Sequence, residues 1–242
     1  MIAPPDLRQR SRELLLGRDV ARLAMRSRRL RTLQHGTGAP VVLVPGYGAT
    51  DAALAPLRRF LTRLGHDARP VGMGRISDDV PGQFPVVTER AAAIADETGR
   101  AVTLIGWSLG GVLSREAARD RPDAVERVVT FGTPVVGGPA YTAMGHRYDP
   151  AYLAEVQAAI AEREQTPITV PVTAFWSRND GVVAPEACID RTTPGVENVE
   201  VRATHVGMSL DPDVWAGIAI RLAADTASTA RHTAHETARS TA

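Results

Sequence analysis

No lysine occurs anywhere in the 242 residues, so every fixed cation is a guanidinium. Cysteine is almost missing as well. Cys188 stands alone, which excludes an intrachain disulfide and a cysteine-based metal cluster. No apolar run reaches the ~18 residues that a membrane span needs. The run Leu14-Leu15-Leu16 is cut off by Gly17-Arg18-Asp19, too soon for a signal peptide. These absences lead to the expectation of a soluble, cytoplasmic chain. The net charge of +1 gives no global argument for nucleic acid or for a strongly acidic substrate.

Hydrophobic residues make up 44% and charged residues 23%, enough apolar material for a substantial core. The charge is unevenly spread. Nine arginines (Arg8, Arg10, Arg12, Arg18, Arg22, Arg26, Arg28, Arg29 and Arg31) face only Asp6, Glu13 and Asp19 in the first 35 residues, a local +6 that leaves −5 for the remainder. Residues 6–34 read as an Arg-rich amphipathic helix broken near Gly17, with Leu16, Val20, Leu23 and Leu30 near one face.

From residue 41 the pattern changes. Val41–Val44, Ala101–Ile105, Val125–Phe131, Val170–Trp176 and Val196–Val201 are short strand-like runs, with a weaker strand near Ala68–Val71. Helical stretches alternate with them at about 51–64, 86–97, 109–119, 150–164 and 212–223. Continuous Val/Ile/Leu runs between helices are what a parallel sheet buried on both faces requires. The expected organisation is an N-terminal helical region over 1–38, an α/β domain over 39–224 with a cap-like insertion at about 133–167, and a tail over 225–242 whose composition predicts disorder.

Ile105-Gly106-Trp107-Ser108-Leu109-Gly110-Gly111 carries the strongest chemical signal. It falls between an expected buried strand and an expected helix, the context that gives G-x-S-x-G its meaning. A tight turn there lifts the Ser108 hydroxyl out at the carboxyl end of the strand, where ligands meet a parallel sheet. The Leu109 N–H, at the helix start, is then free to face a developing oxyanion. The plainer alternative is a glycine-rich turn with a capping serine.

A serine hydroxyl near neutral pH needs an adjacent base. Of six histidines, His35 and His66 precede the elbow, His146 lies in an irregular segment, and His232 and His235 lie in the tail. His205 alone sits between the last strand and the last helix. Asp180 follows the strand before it, in the turn Ser177-Arg178-Asn179-Asp180-Gly181, and can hold the imidazole in one tautomer. An Asp before Gly is also a common turn former. Asp211 and Asp213 are weaker rivals that read as caps of the final helix.

Together with Val41–Gly48 and Phe131-Gly132-Thr133-Pro134, these residues resemble the bacterial lipases and esterases of the α/β-hydrolase superfamily, over roughly residues 40–224. The resemblance implies a mostly parallel sheet of about six strands with helices on both faces and a small cap segment, since no room remains before Val41 for the fold's first two strands. It implies the triad Ser108, Asp180 and His205, and oxyanion donors at the N–H groups of Tyr47 and Leu109. Pro45 departs from the histidine that many such proteins carry there, and the Arg-rich N-terminus has no counterpart.

The implied reaction is hydrolysis of a small-molecule or lipid acyl ester through an acyl-enzyme on Ser108, with no metal or organic cofactor. Trp107, Val135, Tyr141 and Met144 are the candidates for lining the acyl pocket, although Trp107 suits packing beneath the elbow equally well. Acyl transfer and thioester cleavage are rivals within the fold, and a non-catalytic binding protein is the rival from a different class. For the N-terminal helix, leucine burial against the domain or a second subunit is expected over binding to an anionic membrane, because its apolar face is thin.

Overall fold

A computed structural model describes residues 2–77 and 79–223. The tail expected to be disordered therefore lies outside the described residues, apart from its definition by composition. Six strands, β1 (Pro40–Val44), β2 (Asp67–Pro70), β3 (Val102–Trp107), β4 (Val125–Phe131), β5 (Val172–Ser177) and β6 (Glu197–Val201), form one sheet in the order β2-β1-β3-β4-β5-β6. Every pairing is parallel.

All five residues of β1 are buried, as a strand covered on both faces must be. Its side chains alternate between two cores. Val41 and Leu43 join Leu57, Leu61, Trp215 and Ile218, from helices α3 (Ala55–Arg63) and α7 (212–223). Val42 and Val44 join Val87, Ile94, Leu113 and Ala117, from α4 (Val80–Thr98) and α5 (Leu109–Asp120). Two helices on each face complete the three-layer architecture expected from the sequence.

The chain steps from β1 outward to β2, then reverses across β1 to β3. The carboxyl ends of β1 and β3 thus flank the point where strand order switches, the place where open α/β sheets receive ligands.

Three local expectations are corrected. Helix α4 starts at Val80 rather than Val86, because Asp79 caps it through the Gly82 N–H at 3.2 Å and Pro85, near its start, removes only one backbone donor. The N-terminal break falls over the 3-10 turn Ser11–Leu15, between α1 (Leu7–Arg10) and α2 (Leu16–Leu30), and Gly17 lies inside α2. The N-terminal docking is only partly apolar: Leu30 is buried in the first core and Leu23 packs against it, as expected, whereas Val20 is exposed and the charged Asp19 is buried. The segment after β4 has two 3-10 turns followed by α6 (Pro150–Glu164), capped by Asp149. Among the described residues no helix is long and apolar enough to cross a membrane.

Candidate active site

Ser108 occupies the turn between β3 and α5 with φ 54° and ψ −122°, and it is the single non-glycine residue with positive φ among those described. Such a backbone costs on the order of 1–3 kcal/mol. Close packing around it enforces the turn. A Cβ on Gly110 would stand 2.1 Å from the Val44 carbonyl oxygen, and one on Gly106 would stand 2.4 Å from that of Gly110. The Ser108 N–H donates to Phe131 O at 3.0 Å, tying the turn to β4.

Residues from three strand ends converge on this turn. Gly46, just past β1, lies so near that a Cβ there would be 3.0 Å from the Ser108 Cβ. Leu109 begins α5, so its N–H has no acceptor in the preceding turn. Among the described residues, neither it nor the Tyr47 N–H makes a hydrogen bond. The Tyr47 side chain itself is exposed. Gly48 donates to Ile76 O at 2.8 Å and fixes the loop beyond.

Past β4, Gly132 adopts φ +60° and leaves space for the imidazole of His205: a Cβ there would lie 2.9 Å from its Nδ1. His205 Nδ1 is 2.8 Å from Asp180 Oδ2, and both side chains are buried. The other oxygen of Asp180 accepts the N–H groups of Val182 at 2.8 Å and Val183 at 2.7 Å, so the carboxylate is held from both sides. With Nδ1 facing a carboxylate, the imidazole is oriented as an Nδ1–H donor. Burial lowers the His205 pKa, but the charge and hydrogen bond of Asp180 and the charge of Glu13 outweigh it, and the net shift is upward.

The Trp107 indole lies tilted over the His205 ring with centroids 5.7 Å apart, and its Nε1 donates to His205 O at 3.3 Å. It also packs on the first core, so its main contacts are with the base and the fold. Ser108 is half-buried, and among the described residues its hydroxyl makes no hydrogen bond. Catalytic hydrogen bonds are often loose before substrate arrives.

Val135, Tyr141 and Met144 are half-buried in the segment after β4. Tyr141 packs against Val183 and Ala184, next to the acid loop, and its carbonyl accepts the Ala184 N–H at 2.9 Å. The Val135 N–H donates to Thr133 O at 2.9 Å and that of Met144 to Thr142 Oγ1 at 3.2 Å, bonds internal to this segment. Asp211 takes no part in holding His205: its Oδ1 caps α7 through the N–H groups of Asp213 and Val214. Cys188 is buried, and burial together with the charges of Asp180 and Glu186 pushes its thiol well up, away from the reactive thiolate. A cavity of about 220 Å³ lined by Arg119, Asp120, Glu162, Arg163 and Thr166 lies at the far end of α5 from Ser108.

Sequence reasoning missed the link between the N-terminus and this site. Glu13 accepts the N–H groups of Gly181 at 2.9 Å, His205 at 2.8 Å and Val206 at 3.1 Å. Nothing local in the sequence signals contacts made 168 to 193 residues away.

No family model matches the chain. A pimeloyl-[acyl-carrier protein] methyl ester esterase of Photobacterium profundum is 28% identical over 189 residues, covering 74% of this chain and 70% of the esterase. A polyketide synthase, ThaQ of Burkholderia thailandensis, is 38% identical over 114 residues, 43% of this chain, but the chain spans only 5% of that synthase. Among solved structures, mouse alpha/beta hydrolase domain-containing protein 10 superposes with a TM-score of 0.55 at 18% identity, over 80% of this chain and 92% of the mouse protein. The six-stranded parallel sheet and this superposition show the α/β-hydrolase fold.

Proposed function

We propose that this chain, an α/β-hydrolase by fold, is a serine hydrolase that cleaves carboxylic esters through an acyl-enzyme on Ser108. The observations that support the proposal are the strained Ser108 backbone at the sheet's switch point and a buried Asp180–His205 pair whose imidazole packs on Trp107, the neighbour of Ser108. A capping serine has no need of the strain, and a turn-forming Asp has no need of the imidazole. The name of the Photobacterium relative, a methyl ester esterase, supports the same substrate class.

The proposed reaction has two half-steps. Ser108 Oγ attacks the ester carbonyl carbon while His205 Nε2 takes its proton, and Asp180 stabilises the imidazolium through Nδ1–H. The carbonyl oxygen, now an anion, is met by the N–H groups of Tyr47 and Leu109, which have no acceptor among the described residues. His205 returns the proton to the leaving alcohol as the tetrahedral centre collapses. Water, deprotonated by His205, then attacks the acyl carbon, and the second tetrahedral centre collapses as His205 returns the proton to Ser108 Oγ and the acid leaves. No step calls on a metal or an organic cofactor.

Hydrolysis of short p-nitrophenyl esters tests this reading. Turnover should fall by about 10⁴ in Ser108→Ala and in His205→Ala, with melting temperature retained. A Ser108→Ala protein with undiminished turnover would refute it.

A further inference from the structure

We propose that Glu13 is a positioning residue for this reaction, one carboxylate that fastens the loop of Asp180 to the loop of His205. The inference rests on the serine-hydrolase reading and goes beyond it, because Glu13 lies in the N-terminal segment rather than in the sheet or its strand-end loops.

The geometry carries the argument. Glu13 Oε1 accepts the N–H of Gly181, next to Asp180, and that of His205 itself, while Oε2 accepts the N–H of Val206. Backbone donors bonded to a carboxylate make charge-assisted hydrogen bonds, roughly twice as strong as neutral ones. Three such bonds on one side chain bridge two loops that β5 and β6 deliver separately. The approach is tight: a Cβ on Gly181 would fall 2.7 Å from Gln9 O and 3.1 Å from Glu13 Cγ, so only glycine admits the segment here.

The residues around Glu13 hold the same two loops. Arg12 donates to Arg178 O on the acid side. On the base side Arg18 donates to Arg202 O at 2.8 Å, and buried Asp19 accepts the N–H and hydroxyl of Thr204 at 2.9 and 3.0 Å. Residues 12–19 therefore act as a clasp over the acid and base loops, with Glu13 as the point where both meet.

Glu13 also acts by charge. Trp107 and Gly132 beside the His205 ring are neutral and Asp19 is bound to the neighbouring Thr204, whereas Asp180 and Glu13 are the charged groups that act on His205. Both carboxylates favour the imidazolium that forms when Ser108 gives up its proton.

Full-length Glu13→Gln and Glu13→Ala, measured beside wild type and Ser108→Ala, test the proposal through ester kcat/KM against pH and through melting temperature. Glu13→Gln keeps the side chain's size and one acceptor oxygen, so it preserves the fold if Glu13→Ala does not. The expected result is a fall in kcat/KM of about 10-fold for Gln and up to about 100-fold for Ala, the scale of a small misplacement of reacting groups. In Glu13→Gln the acidic limb of the profile should also move to lower pH, because a charge favouring protonated His205 is gone. A lowered melting temperature with unchanged kcat/KM and an unmoved limb would make Glu13 merely structural and overturn the proposal. If Ser108→Ala lacks turnover while Glu13→Gln matches wild type, the Glu13 proposal fails alone. If Ser108→Ala keeps its turnover, both fall together.

Discussion

Asp180 Oδ2 meets His205 Nδ1 at 2.8 Å with both side chains closed to solvent, and this contact fixes the tautomer of the proposed base and is the main influence opposing the effect of burial on its titration. A base works when neutral, and the net upward shift of His205 above the ordinary 6.5 keeps it protonated to higher pH. The acidic limb of kcat/KM should therefore fall above pH 6.5, with activity rising as pH rises through it. A pH–rate profile with its acidic limb below 6.5 would contradict this.

Asp180→Asn removes the largest opposing influence to burial, so the His205 pKa should drop and the residual activity should titrate at lower pH than wild type. Turnover should fall by about 10⁴, as expected where the carboxylate holds the tautomer. The same substitution at Asp211, which caps α7, should leave turnover within a few-fold and lower the melting temperature instead. Steady-state kinetics on the two variants separate the roles.

Arg22 pairs with buried Asp211 at 2.8 Å and with Asp213 at 2.6 Å, joining α2 to the start of α7. Arg22→Ala strands a carboxylate that burial already pushes up in pKa. Loss of one partner of a largely buried pair costs about 3 kcal/mol. Urea unfolding should show a lower midpoint with an unchanged slope, while a midpoint equal to wild type would show that the N-terminal helix adds nothing to stability.

How far the sequence foretold these features depended on their range. The elbow is local: a continuous Val/Ile/Leu run, a serine between glycines and a helix start lie within a dozen residues, so both the strand and the turn were legible. The parallel sheet was legible from the same alternation of runs and helices, but its order β2-β1-β3 was not, because strand partners are chosen by contacts distant along the chain. At the N-terminus periodicity found the burial of Leu23 and Leu30 but not the polar half of the docking. Arg12, Glu13, Arg18 and Asp19 bind backbone groups far along the chain, an arrangement that leaves no spacing to read. The start of α4 was misplaced for a different reason, since Pro85 reads as a stop although the Asp79 cap begins the helix before it.

Hydrolysis should survive chelation. The described residues contain no cluster of three or more His, Cys, Asp or Glu that could hold a metal ion, and the proposed steps use only protons and backbone donors. Dialysis against EDTA should leave p-nitrophenyl ester turnover unchanged. A loss of turnover restored by Ca²⁺ or Zn²⁺ would bring a metal into the reaction.

The most direct test of the central claim is covalent capture of the nucleophile. A fluorophosphonate probe reacts with a serine activated by its base, and peptide mapping by mass spectrometry identifies the residue modified. The account predicts a single adduct on Ser108, absent in Ser108→Ala and formed far more slowly in His205→Ala. Folded wild-type protein that stays unlabelled, or labelling that persists in Ser108→Ala, would contradict it.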